Sequence, residues 1–483
     1  MPAPVSPRGL RRSLSVWQAV GLSIALMAPS MAANINPQGT AGSVGRAVPL
    51  AFLIATVGVL LVAYVFVRLC QRFQHAGSVY AFVAAALGPR AGTVAGWSLL
   101  GTYCFYGVVT STASGIFGVA FLTQVGIWPN PPGWAPFLVS GLSLVLVWLL
   151  TVVPARGGTR VLLSVEGITV ALILVVSVAV LAHLFAGTAP GGLRPTWSVF
   201  TVAPGTDVST VFLGAVFGFL SFAGFEAAAT LGEEARQPRR DIPRAILGTA
   251  IFGGCYFVFV TAVEVMGFGA DEAGVQAFTQ SSSLLGDLGT RYVGAWVGDL
   301  ISLGAAVSAF GCALACAVGG SRLLFALSRD AEGDRGLGRT SRSGTPAAAA
   351  VVVVLVMYAI VAVFALGAGM SAMDVFLASG TIGTLILLVV YLVTTVGAIK
   401  LLFFTPPVTV RRWELVVPLL ALVVLGYTVY RNVVPYPTDA AASYPVIAGG
   451  WIVVGILAVA AFPQLARFGR REEIVAPEVA AKS

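Results

Sequence analysis

Glu226 and Glu166 are carboxylates set inside apolar sequence, where a charge is expensive enough that such residues mark functional sites. Glu226 lies in GFLSFAGFEAAATLGEEARQPRRDIP, Gly218 to Pro243, after the largely apolar Val208–Phe222 and ahead of Glu233–Arg244, where seven of twelve residues are charged. That contrast is a membrane boundary, and Glu226 stands about ten residues, roughly 15 Å of helix, from Arg236, too deep to reach the surface. Glu166 stands about six residues, roughly 9 Å, beyond Arg160, which fits a proton-coupling group and an interfacial position equally. Burial penalises the charged form of either acid, so both are candidates for carrying a coupling proton, Glu226 first. Backbone beside them can open: Ala223-Gly224 precedes Glu226, and Ala28-Pro29-Ser30 interrupts an earlier apolar run. Opened backbone at membrane depth survives only where it lines a cavity or is buried in protein.

The elements that position these residues follow from composition. Mean hydropathy of +0.92, 58% hydrophobic residues and 10% charged residues over 483 positions exclude a soluble globular chain. The net charge of +8 points to no nucleic-acid partner, because the basic residues sit in short loops between apolar runs. Cys70, Cys104, Cys255, Cys312 and Cys316 form no CxxC pair, so they read as small buried hydrophobes rather than a disulfide or metal framework, and no metal or cofactor is expected. Arg8, Arg11 and Arg12 ahead of Val16–Met27 imitate a signal peptide, but the next segment is apolar again, so the stretch reads as a first span.

A window of about 20 residues places spans near 16–44, 47–69, 91–125, 134–153, 161–186, 208–231, 245–268, 292–327, 347–366, 375–404, 413–430 and 444–465. The reading is an all-α integral membrane protein with twelve transmembrane helices and membrane lipid around it. With the N-terminus cytoplasmic, 24 of the 28 basic residues fall inside and only Arg46, Arg194, Arg291 and Arg431 outside, as the positive-inside rule requires. The units are a cytoplasmic tail (1–15), a five-helix block (16–186), an extracellular loop (187–207), a second five-helix block (208–404), two further helices (405–465) and a cytoplasmic tail (466–483). Five is odd, so the second block enters the membrane from the opposite side. Each block also opens on an interrupted helix, the arithmetic of a five-plus-five inverted repeat.

The segment GFLSFAGFEAAATLGEEARQPRRDIPRAI resembles the sixth helix and following loop of the amino acid, polyamine and organocation transporter superfamily. GLSIALMAPSMAANI, AGSVYAFVAAALGPRAGTVAGW and SRLLFALSRD are similar to further landmarks of that superfamily, in the same order. The resemblance implies a permease that works by alternating access, driven by protons or by exchange. A first half-site would be Ala28, Pro29, Ser30 and Met31, whose N–H groups could seat a substrate carboxylate. A second would be Phe222, Ala223 and Gly224, whose carbonyls could accept from an ammonium. Many superfamily members carry a glycine-flanked serine at the first break. Pro29 lacks an N–H, which weakens the carboxylate seat and leaves amine substrates open.

Tyr103 and Tyr106, and Phe105 between them, are expected to wall the pocket. Leu220 stands where the superfamily's arginine exchangers carry a tryptophan, which argues against a guanidinium. A neutral or apolar amino acid moved across the plasma membrane is the expected substrate, with an amine, a polyamine or exchange as the alternative. The fold that the resemblance implies takes sodium on adjacent hydroxyls of the eighth helix facing carbonyls of the first, and here Ser302 and Ser308 are isolated from one another, which favours protons. Glu264, Asp299, Asp374 and His183 near span ends read as hydrated or capping groups. A channel would need polar stripes and an enzyme a catalytic constellation, and the spans show neither. A non-transporting nutrient sensor would keep the binding site and differ only in flux.

The topology is testable in intact cells. A cysteine at Ser341, in the arginine-rich loop Arg329–Arg342, should resist membrane-impermeant thiol reagents, and labelling from outside would refute the orientation.

Overall fold

The computed structural model describes residues 16–72, 79–152, 158–231, 237–332, 336–339, 345–406, 408 and 410–467. Residues 1–15 and 468–483, His75, Arg156, Arg236, Arg335, Ser341 and Arg342 lie outside the described residues. The described chain is helical: α1 (Val16–Met27), α2 (Pro29–Val44), α3 (Val48–Arg72), α4 (Val79–Leu87), α5 (Pro89–Gln124), α6 (Ala135–Val152), α7 (Gly158–Ala186) and α8 (Thr210–Ser221). It continues with α9 (Pro238–Phe268), α10 (Glu272–Gln280), α11 (Leu284–Tyr292), α12 (Ala295–Glu332), α13 (Ala347–Ala362), α14 (Ala372–Ile399), α15 (Val416–Arg431) and α16 (Ser443–Ala461). Helix is the conformation that satisfies every backbone group within its own segment, which hydrocarbon demands.

Among the described residues, ten helical stretches are long and apolar enough to cross a membrane. One of them, Ser23–Arg72, joins the end of α1 to α2 and α3, and α8, with twelve residues, is too short by itself. Three short helices, α4, α10 and α11, were not anticipated. The eighth segment was expected to begin at Tyr292, but Tyr292 ends α11, whose last turn closes as Val293 N and Gly294 N both donate to Gly289 O (2.9 Å each). Cys255 is exposed midway along α9, so it is not the buried hydrophobe expected, while the other four cysteines are buried.

The long α5 lies at the centre, packed against α4, α6, α12, α13, α14 and α16. Small residues make that closeness possible, because helices in lipid associate by tight packing rather than by a hydrophobic drive. A Cβ added at Gly107 would meet Met357 Cε at 2.2 Å, and one at Gly101 would meet the Trp451 indole at 2.3 Å. Trp451 is held in return: its Nε1 donates to Trp97 O (3.0 Å), Trp97 Nε1 donates to Trp451 O (2.9 Å), and the rings stack at 4.9 Å. This reciprocal pair fastens α16 to α5. An ion pair from Arg68 to Glu414, with Tyr64 donating to the same carboxylate, fastens the start of α15 to α3.

The contact between α5 and α6 has no room to spare. A Cβ at Gly115 would lie 2.2 Å from Pro136 O, a backbone atom that cannot rotate away. Gly115→Ala should therefore lower the thermal midpoint of the purified protein by several degrees, while Gly42→Ala, where a Cβ meets nothing within 4 Å, should not.

Candidate functional site

The first helix breaks at Ala28. Its φ of 45° and ψ of 58° lie in the left-handed region, a conformation that costs a non-glycine residue about 1–2 kcal/mol. Pro29 then starts α2 at a position that suits its fixed φ and loses no helical hydrogen bond. The groups freed by the break find partners from other helices. Leu26 O accepts from Cys312 Sγ (3.1 Å), and Pro29 O accepts from the Tyr256 hydroxyl (3.4 Å). Ser30 N and the Ser30 hydroxyl both donate to Glu166 Oε1 (2.8 Å each), and Met31 N donates to Ser308 Oγ (3.4 Å). Glu166 is thus neither interfacial nor free: it is 5% exposed and sits on the start of α2, 136 residues away in sequence.

The second break follows α8. Phe222 N and Ala223 N donate to Phe219 O and Leu220 O (3.1 Å each), Gly224 takes φ 99°, and a 3-10 turn runs through Phe225–Leu231. The carbonyls expected to be free are partly engaged, since Phe222 O and Gly224 O also accept backbone N–H groups, each keeping one lone pair. The two breaks touch. Ala228 N donates to Ser23 Oγ (3.1 Å), Asn36 Nδ2 donates to Ser221 Oγ (2.7 Å), and a Cβ at Gly224 would lie 2.6 Å from Leu26 Cβ.

Between them lies a cavity that is open at one end, its empty space about 880 Å³ with that open end included. Of the expected residues it brings together Met31, Tyr103, Tyr106, Ala223, Gly224 and Glu226. Ala28, Pro29, Ser30 and Phe222 do not line it. Ala28 and Ser30 are fully enclosed behind the break, and Phe222 packs edge-on against Phe257 (5.4 Å). Phe105 is likewise turned away, against Trp451 (6.2 Å). The Tyr106 hydroxyl bonds Thr384 Oγ1 (3.0 Å), which fixes that ring in the wall.

The Glu226 carboxyl lies next to the Tyr391 hydroxyl, but neither Glu226 Oε2 nor that hydroxyl is in bonding geometry with any group. A buried acceptor without a donor is costly, and it marks where a donor belongs. Sequence reasoning missed Asn36, Thr102, Thr110 and Leu387 in the wall. On α5 the signal was legible, since Leu99, Thr102, Tyr103, Tyr106, Val109 and Thr110 recur at the three-to-four spacing of one helix face.

Of the remaining acids, Asp374 is a cap, paired reciprocally with Ser371 at the start of α14, as expected. Glu264 is not at an exposed span end: it is fully buried, and neither carboxyl oxygen has a partner among the protein groups. Beyond it α11 packs on the outer end of α9, with Leu288 against Gly267 and Tyr292 donating to Gly267 O (3.1 Å). Glu264 does not line the cavity. Ser302 Oγ is also unpartnered, whereas Ser308 serves α2.

The chain is 29% identical over 255 residues to the low-affinity putrescine importer PlaP of Escherichia coli, covering 52% of this chain and about half (53%) of the importer. It is 29% identical over 370 residues, 75% of this chain and 77% of the relative, to an uncharacterized transporter of Mycobacterium tuberculosis. It is 26% identical over 321 residues, 63% of this chain and 65% of the relative, to the branched-chain amino acid permease BcaP of Lactococcus lactis. The profile described as amino acid permease matches residues 15–465, nearly the whole chain, so this multi-pass membrane protein belongs to the amino acid permease family, a family of transporters within the amino acid, polyamine and organocation superfamily.

Proposed function

We propose that the protein is a secondary active carrier of a small ammonium-bearing molecule, an amino acid or an amine, working by alternating access and coupled to protons through Glu226. The observation that carries this reading is the unpartnered Glu226 Oε2 in the wall of a cavity built between two broken helices. A carboxyl group in that position can accept a proton or a substrate N–H, and its charge state then bears on how the two breaks pack. The likeness to a putrescine importer and a branched-chain amino acid permease supports the substrate range.

In this reading the chain crosses the plasma membrane twelve times with both termini cytoplasmic. Residues 16–186 and 208–404 are inverted repeats, and 405–465 are two added helices. The ten long apolar stretches, the joined Ser23–Arg72 run and the short α8 that continues into a 3-10 turn are compatible with that count. On one side the cavity reaches Val79 of α4 and Ala229, and on the other Phe217 closes against Gly39 and Gly380. Substrate would leave past the first side, which the arginine asymmetry makes cytoplasmic.

Gly224 carries the first test. Gly224→Val adds a β-branched side chain at φ 99° and drives it into Leu26, so uptake into proteoliposomes should fall to background while the protein is still made and purified. Undiminished uptake would place the site elsewhere. Glu226→Gln keeps size and an oxygen acceptor but cannot ionise. It should retain exchange of internal for external substrate, with weakened affinity, and lose the dependence of uptake on an imposed pH gradient. Persistence of pH-driven accumulation would remove Glu226 as the coupling group.

A further inference from the structure

Arg68, Arg72, Lys400, Arg411 and Arg412 gather with Glu414 where the end of α3 meets the end of α14 and the start of α15. α14 runs into a π turn, Lys400–Phe404, and α15 is preceded by a 3-10 turn, Arg412–Leu415. Both turns are held by one stretch of α3. Arg72 donates to Leu401 O, to Thr405 O (3.3 Å) and to Pro406 O (3.4 Å), while Arg68, one helical turn earlier, pairs with Glu414. Four residues of helix span about 6 Å, so the two turns lie side by side.

These bonds leave a surplus of positive charge. Glu414 is fully used: Oε2 accepts from the Tyr64 hydroxyl and from Arg68, and Oε1 accepts from Arg411 N (3.2 Å). Arg72 is taken up by carbonyls. Among the described residues, no acid or carbonyl bonds the side chain of Lys400, Arg411 or Arg412, and all three residues are exposed. Next to them α15 presents apolar surface. Trp413 is 65% exposed, and Val416, Leu419, Leu420 and Val423, all exposed, continue from it at the three-to-four spacing of one helix face. Tryptophan settles at the level of lipid headgroups, an apolar stripe below it faces acyl chains, and guanidinium groups bind phosphate oxygens in pairs. A soluble anion would use the cations but neither the indole nor the stripe.

We propose that this corner is a binding site for an anionic phospholipid, with the phosphate on Lys400, Arg411 and Arg412, the Trp413 ring at headgroup level and the acyl chains along the α15 stripe. The lipid bridges the end of α14 to the start of α15 and neutralises the charge that the protein itself leaves open. Its leaflet is the cytoplasmic one in the orientation proposed above. The site requires that the chain spans a membrane and does not depend on the carrier reading, so a binding measurement tests it separately from transport.

Thermal midpoints of the purified protein in a neutral detergent are measured with dioleoyl phosphatidylglycerol, dioleoyl phosphatidylcholine or inorganic phosphate added. Phosphatidylglycerol should raise the wild-type midpoint by several degrees and saturate, and the other two should not. Each basic residue close to an anionic lipid is worth about fivefold in affinity, so Lys400→Gln, Arg411→Gln and Arg412→Gln combined should move half-saturation upward by about a hundredfold. Arg90→Gln, Arg240→Gln and Arg244→Gln combined remove the same charge from other exposed positions and should respond as the wild type does. Equal shifts from the two phospholipids, or an equal loss in both triple variants, would overturn the site, since the response would then be general to lipid or to net charge. A shift from inorganic phosphate equal to that from phosphatidylglycerol would overturn the lipid as the ligand. A second reading keeps all three cations in place: phosphatidylglycerol brominated on its acyl chains should quench the wild-type tryptophan fluorescence saturably, and Trp413→Phe should lose that saturable part. Quenching unchanged in Trp413→Phe would place the lipid elsewhere and refute the proposal even if the triple variant failed to fold.

Discussion

Opening a helix inside hydrocarbon leaves backbone groups that water cannot reach, and each must be met by another part of the protein. At Ala28 that requirement draws in three helices at once. Glu166 comes from α7, Tyr256 from α9, and Cys312 and Ser308 from successive turns of α12, all onto six residues of α1 and α2. Without these partners the left-handed turn at Ala28 and the backbone groups freed there would go uncompensated. The break is therefore marked locally by the sequence Ala-Pro-Ser and held by the assembled bundle. Any motion that swings α1 relative to α2 has to exchange these bonds together, which favours two discrete arrangements over a continuum.

The second break obeys the same constraint by a different route. α8 stays close to helical geometry, tightening into successive short-range bonds from Phe219 to Ala227, so most of its carbonyls are satisfied locally. What it contributes is shape. Gly224 lets the chain pass within van der Waals reach of Leu26, and the turn carries Glu226 to the cavity while Phe225 points into the rings of Phe66 (6.1 Å) and Tyr391 (6.1 Å). One break supplies polar anchoring and the other supplies the acid. The bonds Asn36 to Ser221 and Ala228 to Ser23 tie the two together, so a change at either is felt at the other.

How much of this was legible depends on the range of the interaction. A chain of long apolar helices came through because hydrocarbon thickness imposes a length and a hydropathy on each segment by itself. Ala28 and Gly224 came through because helix-breaking and left-handed positions are local properties. Tyr103 and Tyr106 were found, while Thr102 and Thr110 were missed although their three-to-four spacing from the tyrosines puts them on the same face of α5. Glu166 was seen as an acid but not as the partner of Ser30, because nothing near either residue specifies the other. Glu264 was misread for a related reason. Its distance from the helix end suggested an exposed carboxylate, whereas its burial comes from tertiary packing that no local stretch of sequence specifies.

Glu166, Glu264 and Glu226 show why residue type alone does not assign a role. Glu166 accepts two hydrogen bonds from one serine on the first turn of α2, so moving its proton would disturb the strut that holds the break open. Glu264 has no partner at either oxygen but lies outside the cavity wall, so no substrate reaches it there. Glu226 alone combines an unpartnered oxygen with a place in the wall. A coupling group needs partners that change during the cycle, and an acid already saturated, or one sealed away from the substrate, cannot supply that change. The arrangement separates anchoring from coupling, giving each to a different helix, and this leaves Glu226 free to exchange its partner while Glu166 keeps α2 in register.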